Sequence, residues 1–192
     1  MEPSTKDRLI GAGMDMLLKQ GFNHLAIQDL LDSTAVPKGS FYYHFTSKED
    51  FALQVIDRYM VAVHGGLDAC LGNRDIPPLQ RVRGFFEATR AKYREDGYLG
   101  CLLGGLGQEL SGINEVFRGK IRWCFTEIAK RLASCLDEAV QRGDLAPGTD
   151  AVHLANLLVD CWEGAALRTR LTGDPAPLQA MLDFYFKAAG AR

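Results

Sequence analysis

The stretch Val36–Phe51, VPKGSFYYHFTSKEDF, constrains the architecture of this chain more than any other. Pro37 has no N–H to donate, so it marks a turn or the first position of a helix. Phe41 and Phe45 stand at i and i+4 and share one face, which predicts a helix over Lys38–Phe45 with a buried aromatic back. Lys38, Ser40, Tyr42, Tyr43 and His44 fall on its remaining surface. A short helix with an apolar back and a Lys/Ser/Tyr/His front suits the major groove of a nucleic-acid duplex. Ser47 then reads as an N-cap, with Asp50 where a capping box usually has Glu. The next helix therefore starts at once, and the stretch reads as the second half of a helix-turn-helix.

The rest of the chain keeps a helical rhythm. A first helix starts at Ser4 or Thr5 as cap, carries Leu9, Ile10, Met14, Leu17 and Leu18 on one stripe, and ends at Gly21. A second runs over Ile27–Ser33 with Ile27, Leu30 and Leu31 inward. A long helix over Lys48–Leu71 repeats Phe51, Val55, Ile56, Tyr59, Met60, Val63 and Leu67 at three-four spacing. Gly65-Gly66 weakens or bends it, since each Gly costs about 1 kcal/mol against Ala in a helix. Pro77-Pro78 opens a helix to Arg94, and Asp96-Gly97 is a turn. Gly100–Gly112 is either a strained short helix or one packed very closely. Ile113–Arg142 is a long helix closed by Gly143. Thr149 or Asp150 opens a helix to Leu171, and Pro175 or Pro177 opens the last one, to Ala189. This predicts an all-α fold of about nine helices.

The helix over Asp150–Leu171 is apolar nearly all round, with Val152, Leu157, Leu158, Val159, Trp162 and Leu167 on different faces. Such a helix must be covered on every side. It is either the central core helix of one subunit or part of a four-helix interface, two helices from each protomer of a two-fold dimer.

Val36–Phe51, together with the residues back to about Thr5, resembles the N-terminal signature of TetR-type transcriptional repressors. The resemblance implies a three-helix DNA-binding domain over residues 1–47 and a helical ligand-binding and dimerisation domain over 48–192. It departs from the commonest family pattern at Leu30-Leu31, Thr34 and Pro37. Ala35 stands where the turn usually has Gly, which implies either strain or a turn with ordinary dihedrals. Ala26 stands where Thr often caps the second helix, so one phosphate contact is either missing or supplied by Gln28. By resemblance, Tyr42, His44 and Lys48 bind phosphate, and Lys38, Ser40 and Tyr43 approach bases or phosphates. A ring such as Tyr43 can pack on a thymine methyl. The partners implied are a double-stranded, palindromic operator, a second copy of the chain docked through the last two long helices, and a small-molecule effector.

Formal net charge is −2, and even the first fifty residues carry more acidic than basic groups. Non-specific DNA affinity should therefore be modest and the salt slope shallow, at about one counterion per neutralised phosphate. None of the five cysteines forms a CxxC pair, and no His stands at zinc-ligand spacing, so no metal and no cofactor is expected. There is no signal peptide and no bilayer-spanning apolar run, which places the chain in the cytoplasm with reduced thiols.

Cys101 lies in a glycine-rich segment. At a helix start, the dipole and free amides would make its thiol more reactive. VPKGSFY, with Gly100-Cys101-Leu102-Leu103 and Trp162-Glu163-Gly164-Ala165, resembles a branch of TetR-type repressors that answers electrophiles or small unsaturated acids, in some of which the matching Cys is the sensor. The alternative is a small residue chosen for packing. Phe86, Tyr93, Trp123 and Trp162 are either core or pocket lining. Arg90, Glu109 and Glu163 are polar groups in apolar helices that either face solvent, pair internally or meet a ligand; Arg90 would suit an acid. The competing readings are a broad multidrug-type pocket without cysteine sensing and a thiol-dependent enzyme. The enzyme lacks an acid–base partner for Cys101, so no catalytic residue is assigned.

Overall fold

A computed structural model describes residues 3–190. Among them are nine helices and no strand: α1 Thr5–Gln20, α2 Ile27–Thr34, α3 Lys38–His44, α4 Lys48–Leu71, α5 Pro78–Glu95, α6 Leu102–Leu110, α7 Glu115–Arg142, α8 Ala151–Thr172 and α9 Ala176–Gly190.

Local chemistry accounts for most boundaries. The Ser4 hydroxyl accepts the Asp7 amide at 3.1 Å and starts α1, and Gly21 at φ 77° ends it. The Ser47 hydroxyl accepts the Asp50 amide at 3.1 Å, as expected of a cap. The Asp50 carboxylate reaches back to the Thr46 amide at 2.8 Å, so the box closes one residue further out than the sequence pattern implies. Asp150 rather than Thr149 caps α8, through the His153 amide at 2.9 Å.

Three open expectations are decided. Ala35 adopts φ 49° and ψ 41°, a left-handed conformation, so the turn does not have ordinary dihedrals. α4 runs unbroken through Gly65-Gly66. The glycine-rich segment forms a regular helix, with Leu102, Leu103, Leu106 and Leu110 buried. An added Cβ at Gly105 would meet nothing within 4 Å, and one at Gly107 would make ordinary contact with Ile121 at 3.6 Å. Close packing therefore does not demand glycine at these two positions.

The chain forms two compact units, divided within α4 and α7: the first runs to Ala62 and takes in Cys101–Ile121, and the second comprises Val63–Gly100 and Arg122–Arg192. In the first, α1 packs against α2, α3 and α6. Its core holds Leu9, Leu25, Leu30, Phe41, Phe45, Phe51, Leu103 and Phe117, all at most 1% exposed. Gly13 lets the Phe51 ring lie against α1, since a Cβ there would stand 2.2 Å from the ring.

In the second unit, α9 packs on α5 and α8. Its core includes Val82, Phe86, Leu132, Leu136, Leu158, Leu178 and Leu182. Arg81 is buried there, donating to the Leu71 carbonyl at 2.7 Å and pairing with Glu138. The guanidinium hydrogen bond holds the Glu138 carboxyl below its ordinary range.

Candidate nucleic-acid interface and effector region

The α2–α3 corner is built from buried apolar anchors. α2 ends with the Val36 amide donating to the Leu31 carbonyl at 3.1 Å and the Ala35 amide to the Asp32 carbonyl at 3.4 Å. This is a Schellman motif with Ala in the left-handed position and buried Leu31 and Val36 as its apolar pair. Arg8 on α1 donates to the Thr34 carbonyl, fixing the same helix end. Sequence reasoning missed Arg8, because a lone Arg among the polar positions of α1 carries no local signal. Pro37 precedes α3 in extended conformation, and the amide of Ser40 turns back to its carbonyl at 2.9 Å.

Phe41 and Phe45 point inward, their rings 5.1 Å apart and each within 5.4 Å of Phe51. With the back of α3 anchored, the front is left to solvent. Tyr43 is 83% exposed and Tyr42 55%. Lys38 is also exposed, and Ser40, His44 and Lys48 are half-buried. The Lys48 ammonium lies 4.5 Å from the Phe22 ring centroid. Ala26 makes no side-chain cap of α2. Gln28 donates to Asp32 at 2.8 Å, so in this state its amide is turned along α2.

The expected effector residues are divided between the two units. In the first unit, Cys101 sits at the start of α6 in extended conformation. Its Sγ is 3.6 Å from the Tyr59 hydroxyl on α4, a neighbour that periodicity had assigned to the apolar stripe. Glu109, expected among the effector residues, instead accepts the Phe22 and Asn23 amides at 2.7 and 2.6 Å. Its carboxylate caps the turn after α1.

In the second unit, Phe86 and Tyr93 flank Trp162 at ring separations of 4.9 and 5.7 Å, all three buried. Arg90 is half-buried in a surface cleft with Arg94, Tyr98 and Gln179. Trp123 on α7 stands 48% exposed, and Glu163 is half-buried on α8. Among the described residues, no group of His, Cys, Asp and Glu could hold a metal ion, and no helix is long and apolar enough to cross a membrane.

A helix-turn-helix whose second helix is anchored at its back and polar at its front defines a DNA-binding transcriptional regulator. The chain belongs to the TetR family: residues 9–55 match the family of bacterial regulatory proteins of the tetR type, and residues 78–185 match a tetracyclin repressor-like C-terminal domain. It is 33% identical over 187 residues to the transcriptional repressor DhaR of Mycobacterium sp. (strain GP1), covering 95% of this chain and 91% of that protein. The crystal structure of regulatory protein TetR from Rhodobacter sphaeroides matches with a TM-score of 0.90 and 32% identity, over 94% of this chain and 96% of that one. The reduced form of NemR from Escherichia coli matches at a TM-score of 0.86 and 26% identity, over 98% of this chain and all of that one (100%). The protein is thus a ligand-responsive DNA-binding transcriptional regulator of this family.

Proposed function

We propose that this protein is a cytoplasmic repressor that holds a palindromic operator as a two-fold dimer and lets go when a small molecule acts on its helical body. The observation that carries the reading is the division of α3 into a buried Phe41/Phe45 back and a solvent-facing Lys38/Tyr42/Tyr43 front. The head, residues 1–47, presents that front to the major groove. Tyr42, His44 and Lys48 contact phosphate, Lys38, Ser40 and Tyr43 contact bases or nearby phosphate, and Gln28 supplies a phosphate contact from α2. The two heads of a dimer sit one or more helical turns apart on DNA, at roughly 34 Å per turn.

The subunit contact we assign to α8 and α9. Leu157, Cys161, Gly164, Arg168 and Leu171 repeat at three-four spacing along α8, and Leu171 is 76% exposed. Pro177, Ala180, Met181, Phe184 and Ala188 do the same on α9, with Phe184 also 76% exposed. Two adjacent stripes, apolar except for Arg168 and largely open to solvent in one subunit, suit a self-complementary four-helix contact.

We assign the effector response to Cys101, which sits beside Tyr59 at the start of α6, and to the Phe86/Tyr93/Trp162 cluster with Arg90, Trp123 and Glu163. A small electrophile or an unsaturated acid is the effector class. It acts only by its differential affinity for the operator-bound and released conformers.

Operator binding by Tyr42→Ala and Lys48→Ala variants tests the head assignment. Both should bind their operator more weakly while melting like the wild type. Unchanged binding in both overturns the orientation of α3. Release of wild type but not Cys101→Ser by a small electrophile supports the thiol switch, and equal release of both assigns the signal to a non-covalent ligand in a broad pocket.

A further inference from the structure

The turn between α1 and α2 is held by a carboxylate from far along the chain. Gly21 has φ 77° and ψ −179°, and the amides that follow it, Phe22 and Asn23, have no helix to donate to. Consecutive free amides after such a residue form a small concavity that suits an anion. Both oxygens of Glu109 fill it, at 2.7 and 2.6 Å. A Cβ at position 21 would stand 2.6 Å from Glu109 Oε2, so a side chain there would push the carboxylate aside as well as strain the φ angle.

Nothing within α6 asks for this carboxylate. Glu109 lies in the last turn of α6, at the negative end of its dipole, where an anion is disfavoured. The two amides offset that, as charge-assisted hydrogen bonds do. The contact also reaches further. The Phe22 ring packs on Phe117 at 5.4 Å and carries the Lys48 ammonium 4.5 Å from its centroid. A flexible Lys stem laid along an aromatic face is held to fewer conformations than one in free solvent.

We propose that Glu109 is a positioning residue for operator binding: its carboxylate fixes the α1–α2 turn on α6 and thereby seats Phe22 where its ring presents Lys48 to a DNA phosphate. Glu109 is not part of the α2–α3 corner and acts only through Phe22 and Lys48. The proposal rests on the assignment of Lys48 to phosphate made above. When the clamp opens, the competent placement of Lys48 becomes a fraction of the population, and the apparent affinity falls by that fraction.

The test is a double-mutant cycle in the full-length protein, on a duplex enriched from a random pool by the wild type. Glu109→Gln keeps size and shape but turns one acceptor into a donor facing an N–H. It should weaken operator binding about tenfold or more. Lys48→Ala should cost much less in the Glu109→Gln background than in the wild type, at most about twofold. Amide exchange at Phe22 and Asn23 should quicken in Glu109→Gln without any DNA present. If Glu109→Gln does not melt cooperatively, Phe22→Leu takes its place in the cycle, since it keeps the amides and removes the ring. Operator affinity within about threefold of wild type, or strict additivity with Lys48→Ala, overturns the proposal. A wild type that enriches no sequence overturns the operator-binding reading and this proposal together. A wild type that binds while Glu109→Gln binds equally well overturns this proposal alone.

Discussion

Replacing Ala35 by glycine isolates a backbone cost that no contact map reveals. Ala35 sits at φ 49° and ψ 41° just past the end of α2. Its side chain is exposed, so removing the methyl surrenders little packing. For an L-residue with a Cβ, the left-handed region costs roughly 1–2 kcal/mol. Glycine occupies it freely but gives the unfolded chain more freedom, which takes back about 0.4–1 kcal/mol. Taken at the centre of both ranges, the difference leaves Ala35→Gly more stable by about 0.8 kcal/mol. For a chain of this length, each kcal/mol moves the melting temperature by about 2–4 °C, so the expected rise is about 1–4 °C. Urea unfolding followed by circular dichroism should show a higher midpoint with an unchanged slope. The bonds from the Ala35 amide to Asp32 and from the Val36 amide to Leu31 persist in the variant, because they involve backbone only. A midpoint equal to or below that of the wild type would refute the reasoning, since it would mean that the surrounding packing, and not the Schellman geometry, sets the conformation at this turn.

Gly13→Ala should do the opposite. The added methyl gains helix propensity of up to about 1 kcal/mol but meets a Phe51 ring that is fully buried and cannot retreat, an overpacking cost of about 1–3 kcal/mol, and a net drop in the urea midpoint checks it. Glu138→Gln should lower the melting temperature at neutral pH. The folded Glu138 carboxyl is held below its ordinary value of 4.5, chiefly by the Arg81 hydrogen bond, so its contribution is present above that pH and is lost as pH falls through the lower folded value. The gap between wild type and variant should therefore close in melts taken below about pH 4.5, and a gap that widens there would contradict the assignment. Phe184→Glu, on the exposed stripe of α9, should shift sedimentation from dimer to monomer with α-helical content unchanged. A variant that still sediments as a dimer at micromolar concentration would move the subunit contact elsewhere.

Some of this protein was settled by its sequence, because the relevant physics acts over a few residues. Pro37, the i and i+4 phenylalanines and the Ser47 cap define α3 and the start of α4 from within eleven consecutive residues. Gly21 and the Pro77-Pro78 pair mark helix ends by backbone chemistry alone, Thr149-Asp150 narrows the start of α8 to two candidate caps, and α4 ends where its apolar rhythm stops. The polar front of α3 follows from the same periodicity, since burying Phe41 and Phe45 leaves Tyr42 and Tyr43 no other side to occupy. What the sequence could not decide depends on partners distant in the chain. Whether Ala35 is strained depends on how α2 is terminated and on the arginine that holds its last carbonyl. Glu109 reads locally as a polar group in an apolar helix. Only the fold brings it to the amides of Phe22 and Asn23, whose own unmet hydrogen bonds are equally invisible in one dimension. The stripe of α8 is apolar on all sides in sequence, and only packing separates Leu158 and Trp162, buried within the subunit, from Leu157 and Leu171, left in solvent. Periodicity reports that a residue wants cover; the tertiary contacts alone say which surface covers it.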